Sequence, residues 1–96
     1  METGFDPEKE QRNILKHGLS FSLADKILSD PLGLTIYDRF EGGEPRWYTI
    51  AAVGYGRKVL VLVHTDPQPD DDGEIRIIGL REAEPHERRL YEEGTN

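Results

Sequence analysis

Lys58-Val59-Leu60-Val61-Leu62-Val63-His64-Thr65 is the stretch on which the reading of the fold turns. Its middle, Val59 to Val63, is continuously apolar, far too short to cross a bilayer and suited to a strand buried on both faces. Such a strand needs a neighbour on each side, and the flanking sequence supplies both. Upstream, Tyr55-Gly56-Arg57 predicts a tight turn from Arg46 to Val53, a run rich in aromatic and β-branched residues. Further back, Glu41-Gly42-Gly43 predicts another turn, preceded by Leu32, Leu34 and Ile36 alternating with Gly33, Thr35 and Tyr37. Downstream, Asp66-Pro67-Gln68-Pro69-Asp70-Asp71-Asp72-Gly73 reads as a solvated hairpin loop leading into a strand from Glu74 to Leu80.

Helices bracket these strands. Asp6-Pro7 has the form of an N-cap and first helical residue, and Gly18 suits the left-handed position beyond a helix end. The first helix is therefore predicted from Pro7 to His17, with Ile14 and Leu15 as its narrow buried stripe. Ser20 or Ser22 would cap a second helix, with Ala24, Ile27 and Leu28 on its apolar face and Asp30-Pro31 ending it. Glu84-Pro85 opens a last helix running to about Glu93. The expected fold is α+β over residues 1–96 as a single domain: two N-terminal helices, a four-stranded antiparallel meander, and a C-terminal helix, with the helices over one face of the sheet.

Composition narrows the functional classes. The 96 residues contain no cysteine, so thiolate chemistry, disulfides and cysteine metal sites are out. Met-Glu-Thr-Gly-Phe-Asp shows neither a basic start nor an apolar run, so a cytoplasmic protein with no membrane association is expected. The net charge of −7 by itself argues against nucleic-acid binding, since such proteins usually carry a basic footprint. The negative charge nevertheless crowds into Asp66 to Glu74 and the last helix, leaving Arg76, Arg81, Arg88 and Arg89 to form a local basic patch. Asp70-Asp71-Asp72 lacks the ligand alternation and the fixed glycine of a calcium loop and reads as solvated loop, with no metal expected.

Several residues have a structural and a chemical reading. Lys16 and His17 either complement the negative end of the first helix or bind phosphate and exchange a proton. Arg46, in Glu44-Pro45-Arg46, is either a strand-entry charge or a bidentate phosphate ligand; Glu44 would orient it or act as a base. Arg76, among Ile75, Ile77 and Ile78, needs an ion-pair partner or a cleft. On a regular strand Arg76 and Arg81 point to opposite faces, and they share one only if the strand bulges, with Gly79 the obvious place. His64 reads as structural and His86 as solvated. Trp47 and Tyr48 face opposite ways, one into the core and the other free to stack on a base or a partner.

Two segments in this order carry a family resemblance. One is Phe5-Asp6-Pro7-Glu8-Lys9…Asn13…Lys16-His17-Gly18-Leu19-Ser20-Phe21. The other is Ile75-Arg76-Ile77-Ile78-Gly79-Leu80-Arg81-Glu82-Ala83…Glu87-Arg88-Arg89-Leu90-Tyr91. Together they resemble the BrnT family, the small ribonuclease toxins of bacterial type II toxin–antitoxin systems, and Glu44-x-Arg46 matches a further family pattern. The resemblance implies a RelE-like fold and a metal-independent, cofactor-free endoribonuclease that cleaves RNA by 2′-hydroxyl attack and so inhibits translation. It implies Arg46 and Arg81 on the scissile phosphate, His17 in proton transfer, Lys16, Arg76 and Arg88 in RNA binding, and Glu44 orienting Arg46. The implied partner is a ribbon-helix-helix antitoxin like the BrnA family, with promoter DNA bound only through the complex. Phe5 stands where the family usually has Trp. Gly79 and Glu82 stand where the common Ser-x-Arg-Lys-Ala has Ser and Lys, and Glu84 where the last helix usually has a hydroxyl cap. These departures predict weaker RNA binding near Arg81. They leave a second reading, a catalytically weak or inactive protein serving as antitoxin partner and co-repressor.

Overall fold

The computed structural model describes residues 3–54, 58–69 and 73–93. The elements are β1 (Thr3–Phe5), α1 (Pro7–His17), a 3-10 turn (Phe21–Leu23), α2 (Ala24–Leu28), β2 (Leu34–Glu41), β3 (Glu44–Val53), β4 (Lys58–His64), β5 (Ile75–Glu82) and α3 (Pro85–Glu93). The α+β class and the antiparallel meander β2–β3–β4–β5 agree with the sequence reading. The expected four-stranded antiparallel sheet is corrected to five strands in mixed arrangement, ordered β1-β5-β4-β3-β2, because Thr3–Phe5 pairs parallel to Ile75–Ile77. Three residues ahead of a helix cap carry no periodicity to read; the pairing is supplied by the open edge of β5. The Tyr55-Gly56-Arg57 turn and Asp70-Asp71-Asp72 lie outside the described residues.

β4 is the hub, as its apolar run requires. Leu60 and Leu62 join Phe21, Ala24, Ile27, Ala51, Ile75, Ile77 and Leu80 in one core cluster. Val59 and Val61, alternating with them, join Ile50 and Tyr91 in a second cluster on the opposite face. The expected placement of the helices over one face is therefore corrected: they lie on both. The 3-10 turn and α2 cover one side of the sheet, and Tyr91 of α3 packs on the other. Ser20 caps the 3-10 turn by accepting from the Ser22 amide at 3.1 Å, so the second helix begins later than its capping signal implied. Glu41 and Glu44 close a hairpin through Gly42 and Gly43, both at positive φ, where glycine has no Cβ to oppose the turn.

α1 is capped as predicted: Asp6 accepts from the Glu8 amide, and Gly18 adopts φ 70°. Its expected apolar anchor is corrected, since no residue of α1 is buried and Leu15 is 85% exposed. Polar side chains dock it instead. Asn13 Oδ1 accepts from the Leu80 amide at 3.0 Å while its Nδ2 donates to Leu19 O at 3.0 Å. Glu10 Oε2 accepts from Ser20 Oγ at 2.9 Å and from the Phe21 amide at 3.0 Å. Asn13 thus satisfies a β5 donor beyond the reach of the short β1, which is paired only up to Ile77. Asp30 does the same for β3, its Oδ2 accepting from the Ala52 amide at 3.2 Å and from Tyr91 Oη at 2.8 Å.

Asn13→Ala leaves the Leu80 N–H without its partner and is expected to destabilise the fold by about 1–3 kcal/mol in urea unfolding. Leu15→Ala, at an exposed site, is expected to stay within roughly 0.5 kcal/mol of the parent.

Candidate active site

Two β-bulges decide what the α3 side of the sheet displays. In β5, Val63 pairs with Gly79 and His64 with Ile77, leaving Ile78 as an extra residue. In β2, Tyr37 pairs with Trp47 and Arg39 with Arg46, leaving Asp38 as the extra residue. Each insertion reverses the alternation that follows it. Ile75, Ile77 and Leu80 consequently all enter the core on the α2 side, and Arg76 and Arg81 both stand on the other face. The condition set by the sequence for bringing these arginines together is met. The extra residue is Ile78, beside Gly79, where a Cβ would come no closer than 3.8 Å to Asn13 Oδ1, so the glycine is not sterically required. The second bulge turns Arg39 onto the same face, directly across from Arg46.

Arg39, Arg46, Tyr48, Arg76 and Arg81 therefore share a face. A cleft of about 330 Å³ opens there, lined by Asp38, Arg39, Tyr48, Val63, Arg81 and Glu87. Arg81 forks onto Glu87, with Nη1–Oε1 at 2.7 Å and Nη2–Oε2 at 2.8 Å. Glu87 is 6% exposed and also accepts from the Glu84 amide at 2.9 Å, the reciprocal arm of a capping box. The Arg81 hydrogen bonds hold the Glu87 carboxyl below the usual carboxylate range against its burial, and the same bonds raise Arg81. Glu87 thus fixes the plane of the Arg81 guanidinium, a role that sequence reading missed. Its signal was the Glu84-x-x-Glu87 spacing.

Arg46 is only 15% exposed on its side chain, and its Nε is buried without a hydrogen-bond partner. Its one ion pair among the described residues is a long one, Nη1 to Glu41 Oε2 at 3.7 Å. Glu44 does not orient it. Glu44 pairs instead with Arg76, which correction follows from the shared face that the Ile78 bulge creates. Arg39, missed at the sequence level, bonds Asp38 at 2.8 Å and Glu41 at 3.3 Å. The signal for it was the break in apolar alternation after Tyr37. Burial, with Glu87 and Asp38 nearby, pushes the Tyr48 phenol above its ordinary value, so in the cleft its hydroxyl is a proton donor rather than a base. Trp47 faces the other way, packed edge-on against Tyr37 with ring centroids 5.4 Å apart.

Lys16 and His17 lie elsewhere. With Lys9, Arg12, Asn13 and Ile78 they line a groove of about 310 Å³ between α1 and the β5 bulge. Arg88 is exposed on α3 and lines neither recess. Glu82, whose charge was expected to oppose RNA beside Arg81, pairs across from Leu60 and so stands on the opposite face, bonded to Lys58 Nζ at 3.1 Å.

His64 is fully buried on the α2 side, away from the cleft. Its Nδ1–H donates to Thr65 O at 2.7 Å, which leaves Nε2 to accept from Thr49 Oγ1 at 2.7 Å; Thr49 in turn meets Thr35 Oγ1 at 2.8 Å. Burial pushes the imidazole below its ordinary 6.5, outweighing the Thr65 carbonyl. Between that lowered value and 6.5 the unfolded chain binds the extra proton, so stability falls as pH drops through this window. The urea midpoint is expected to decrease from about pH 7.5 to about pH 5.5, with a flatter dependence in His64→Gln.

No curated protein matches the chain. The family model described as "Ribonuclease toxin, BrnT, of type II toxin-antitoxin system" matches residues 5–87, which takes in both bulges, Arg39, Arg46, Arg76, Arg81 and Glu87. On that match over most of its length, the chain belongs to the BrnT family of ribonuclease toxins of type II toxin–antitoxin systems, whose members act with an antitoxin partner.

Proposed function

We propose that the protein is a metal-independent endoribonuclease that cleaves RNA by attack of a 2′-hydroxyl on the adjacent phosphate, and that it inhibits translation in this way. The observation that carries the reading is the pair of bulges, which gathers Arg39, Arg46, Arg76 and Arg81 on one sheet face. In the reaction O2′ bonds to phosphorus as the P–O5′ bond breaks, leaving a 2′,3′-cyclic phosphate and a 5′-hydroxyl. The 2′-hydroxyl proton goes to a base and the leaving O5′ takes one up. No side chain becomes covalently attached, so the protein contributes position and electrostatic stabilisation. Arg81, held flat by Glu87, and Arg46, with a buried unpartnered Nε, are the groups for the negative charge that grows on the phosphoryl oxygens. Tyr48 donates a hydrogen bond beside them.

His17 is the residue for proton transfer, supported by Lys16. The groove holding these two residues and the arginine cleft flank the β5 bulge, since Ile78 lines the groove and Val63, paired with Gly79, lines the cleft. A scissile phosphate seated over Ile78-Gly79 would lie between both sets. Arg76 and Arg88 add contacts to the RNA backbone. The antitoxin is a ribbon-helix-helix protein of the BrnA type that covers this face, and the complex binds its promoter.

A second reading has its own observation. Arg39, Arg46, Arg76 and Arg81 each have a carboxylate of this chain as a partner, and a phosphate must compete with it. In that reading the protein is a weak or inactive nuclease retained as antitoxin partner and co-repressor.

Cleavage of a mixed RNA by purified protein in EDTA separates the two. Wild-type activity is expected, with Arg81→Ala and Arg46→Ala each lowering it by about 10²–10³-fold, the size of losing one transition-state donor. Soluble, folded wild-type protein that leaves RNA intact, with and without ribosomes, would favour the co-repressor reading.

A further inference from the structure

The α1 groove has a composition that the arginine cleft lacks. Lys9, Arg12, Asn13 and Lys16 recur at i, i+3, i+4 and i+7 and form one stripe on the helix. Asn13 fixes how that stripe is turned, because its side chain is bonded to the Leu80 amide of β5. The bond therefore sets the stripe against the bulge, with Lys9 half-buried and Arg12 and Lys16 exposed along the groove. The lining of Lys9, Arg12, Asn13, Lys16, His17 and Ile78 contains no carboxylate. Of the two acids on α1, Glu10 is committed to Ser20 and the Phe21 amide, and Glu8 forms no ion pair among the described residues. Among the described residues, no ion pair involves Lys9, Arg12 or Lys16. In a chain of net charge −7 this is a cationic groove with its charges unspent, whereas every arginine of the cleft face is already paired.

We propose that this groove is a second phosphate-binding subsite, in which Lys9 and Arg12 hold the RNA strand one or more nucleotides from the scissile bond. The inference rests on the ribonuclease reading above and extends it from a cleavage position to a strand-length footprint. The ligand is the phosphodiester backbone of single-stranded RNA. Three cations on one helix face, with His17 the one ring among the lining residues, match a repeating backbone charge more closely than they match a base edge. The two recesses are one strand apart: Ile78 of the groove is the chain neighbour of Gly79, which pairs with Val63 of the cleft.

The test is binding of a 2′-O-methyl oligoribonucleotide of about twelve nucleotides, which has no 2′-hydroxyl to attack and spans a typical single-strand site. Affinity is measured between about 50 and 200 mM salt for the wild type and three double variants. Lys9→Gln/Arg12→Gln is expected to weaken binding roughly tenfold or more and to lower the salt slope by about 1.4, two phosphates at about 0.7 each. Lys26→Gln/Lys58→Gln removes the same charge from exposed positions outside the groove and is expected to change binding much less. Lys9→Arg/Arg12→Lys keeps the charges and is expected to retain wild-type affinity, which guards against a loss caused by misfolding. Equal losses in the two charge-neutralising variants would assign the effect to net charge and overturn the proposal. So would wild-type affinity in Lys9→Gln/Arg12→Gln, including the case where that variant loses binding to an acidic protein partner instead. A wild-type protein that cleaves RNA in EDTA but shows unchanged oligonucleotide binding in that variant would remove the groove alone. A wild type that neither cleaves nor binds would remove the ribonuclease reading together with it.

Discussion

A sheet with apolar cover on both faces has little room for arginine, and here two single-residue insertions make that room. Regular alternation from Ile75 and Ile77 would have turned Leu80 out of the core and driven Arg81 into it. The extra Ile78 lets all three apolar side chains enter one cluster and sends Arg81 to the other face. Asp38 does the equivalent for Arg39. The core and the charged face are thus two results of the same register shift. A substitution that removed the bulge would cost packing on one side and the cleft on the other. This coupling explains how a site can persist in a chain whose sheet is its only extensive scaffold.

The charged face is organised by pairs. Arg81 has its fork filled by a carboxylate that is itself held by the start of α3, so the guanidinium is oriented before any ligand arrives. Arg46 is different: it is mostly buried, its Nε has no partner, and its contact with Glu41 is long. A buried donor without a partner is costly, and this makes Arg46 the least compensated arginine of the face. The acidic partners also set a threshold, because only a ligand of dense negative charge displaces or shares them. Phosphate fits that requirement, and so does an acidic protein surface, which is the physical basis for the two functional readings.

Elsewhere the fold relies on polar groups where apolar area is lacking. α1 buries no residue, yet Asn13 and Glu10 tie it to β5, to the 3-10 turn and to Leu19. Asp30 closes the matching gap at β3 and receives the Tyr91 hydroxyl. Each of these side chains answers a strand donor or loop group that no neighbouring strand reaches, so edge satisfaction and helix placement are one problem solved together. Fixing α1 by directional hydrogen bonds also fixes which of its side chains face the sheet.

The sequence by itself determined the elements whose signals are local. Asp6-Pro7 and Gly18 bounded α1, the run from Val59 to Val63 identified the central strand, and Gly42-Gly43 placed a hairpin, since caps, periodicity and turn glycines act over a few residues. It also made Arg46, Arg76 and Arg81 stand out, because arginine within apolar strands needs a reason. Tertiary structure alone decided the rest. The parallel β1 depends on an open edge of β5, 72 residues away in the chain, most of the length of the domain. The partner of Glu44 proved to be Arg76, not the adjacent Arg46, because the faces of two strands had to be counted through a bulge. Arg39 and Glu87 joined the cleft by the same route, while Lys16 and His17 went to a separate groove. Side-chain direction in a sheet has period two, so a single inserted residue, invisible to local propensity, reassigns every side chain beyond it.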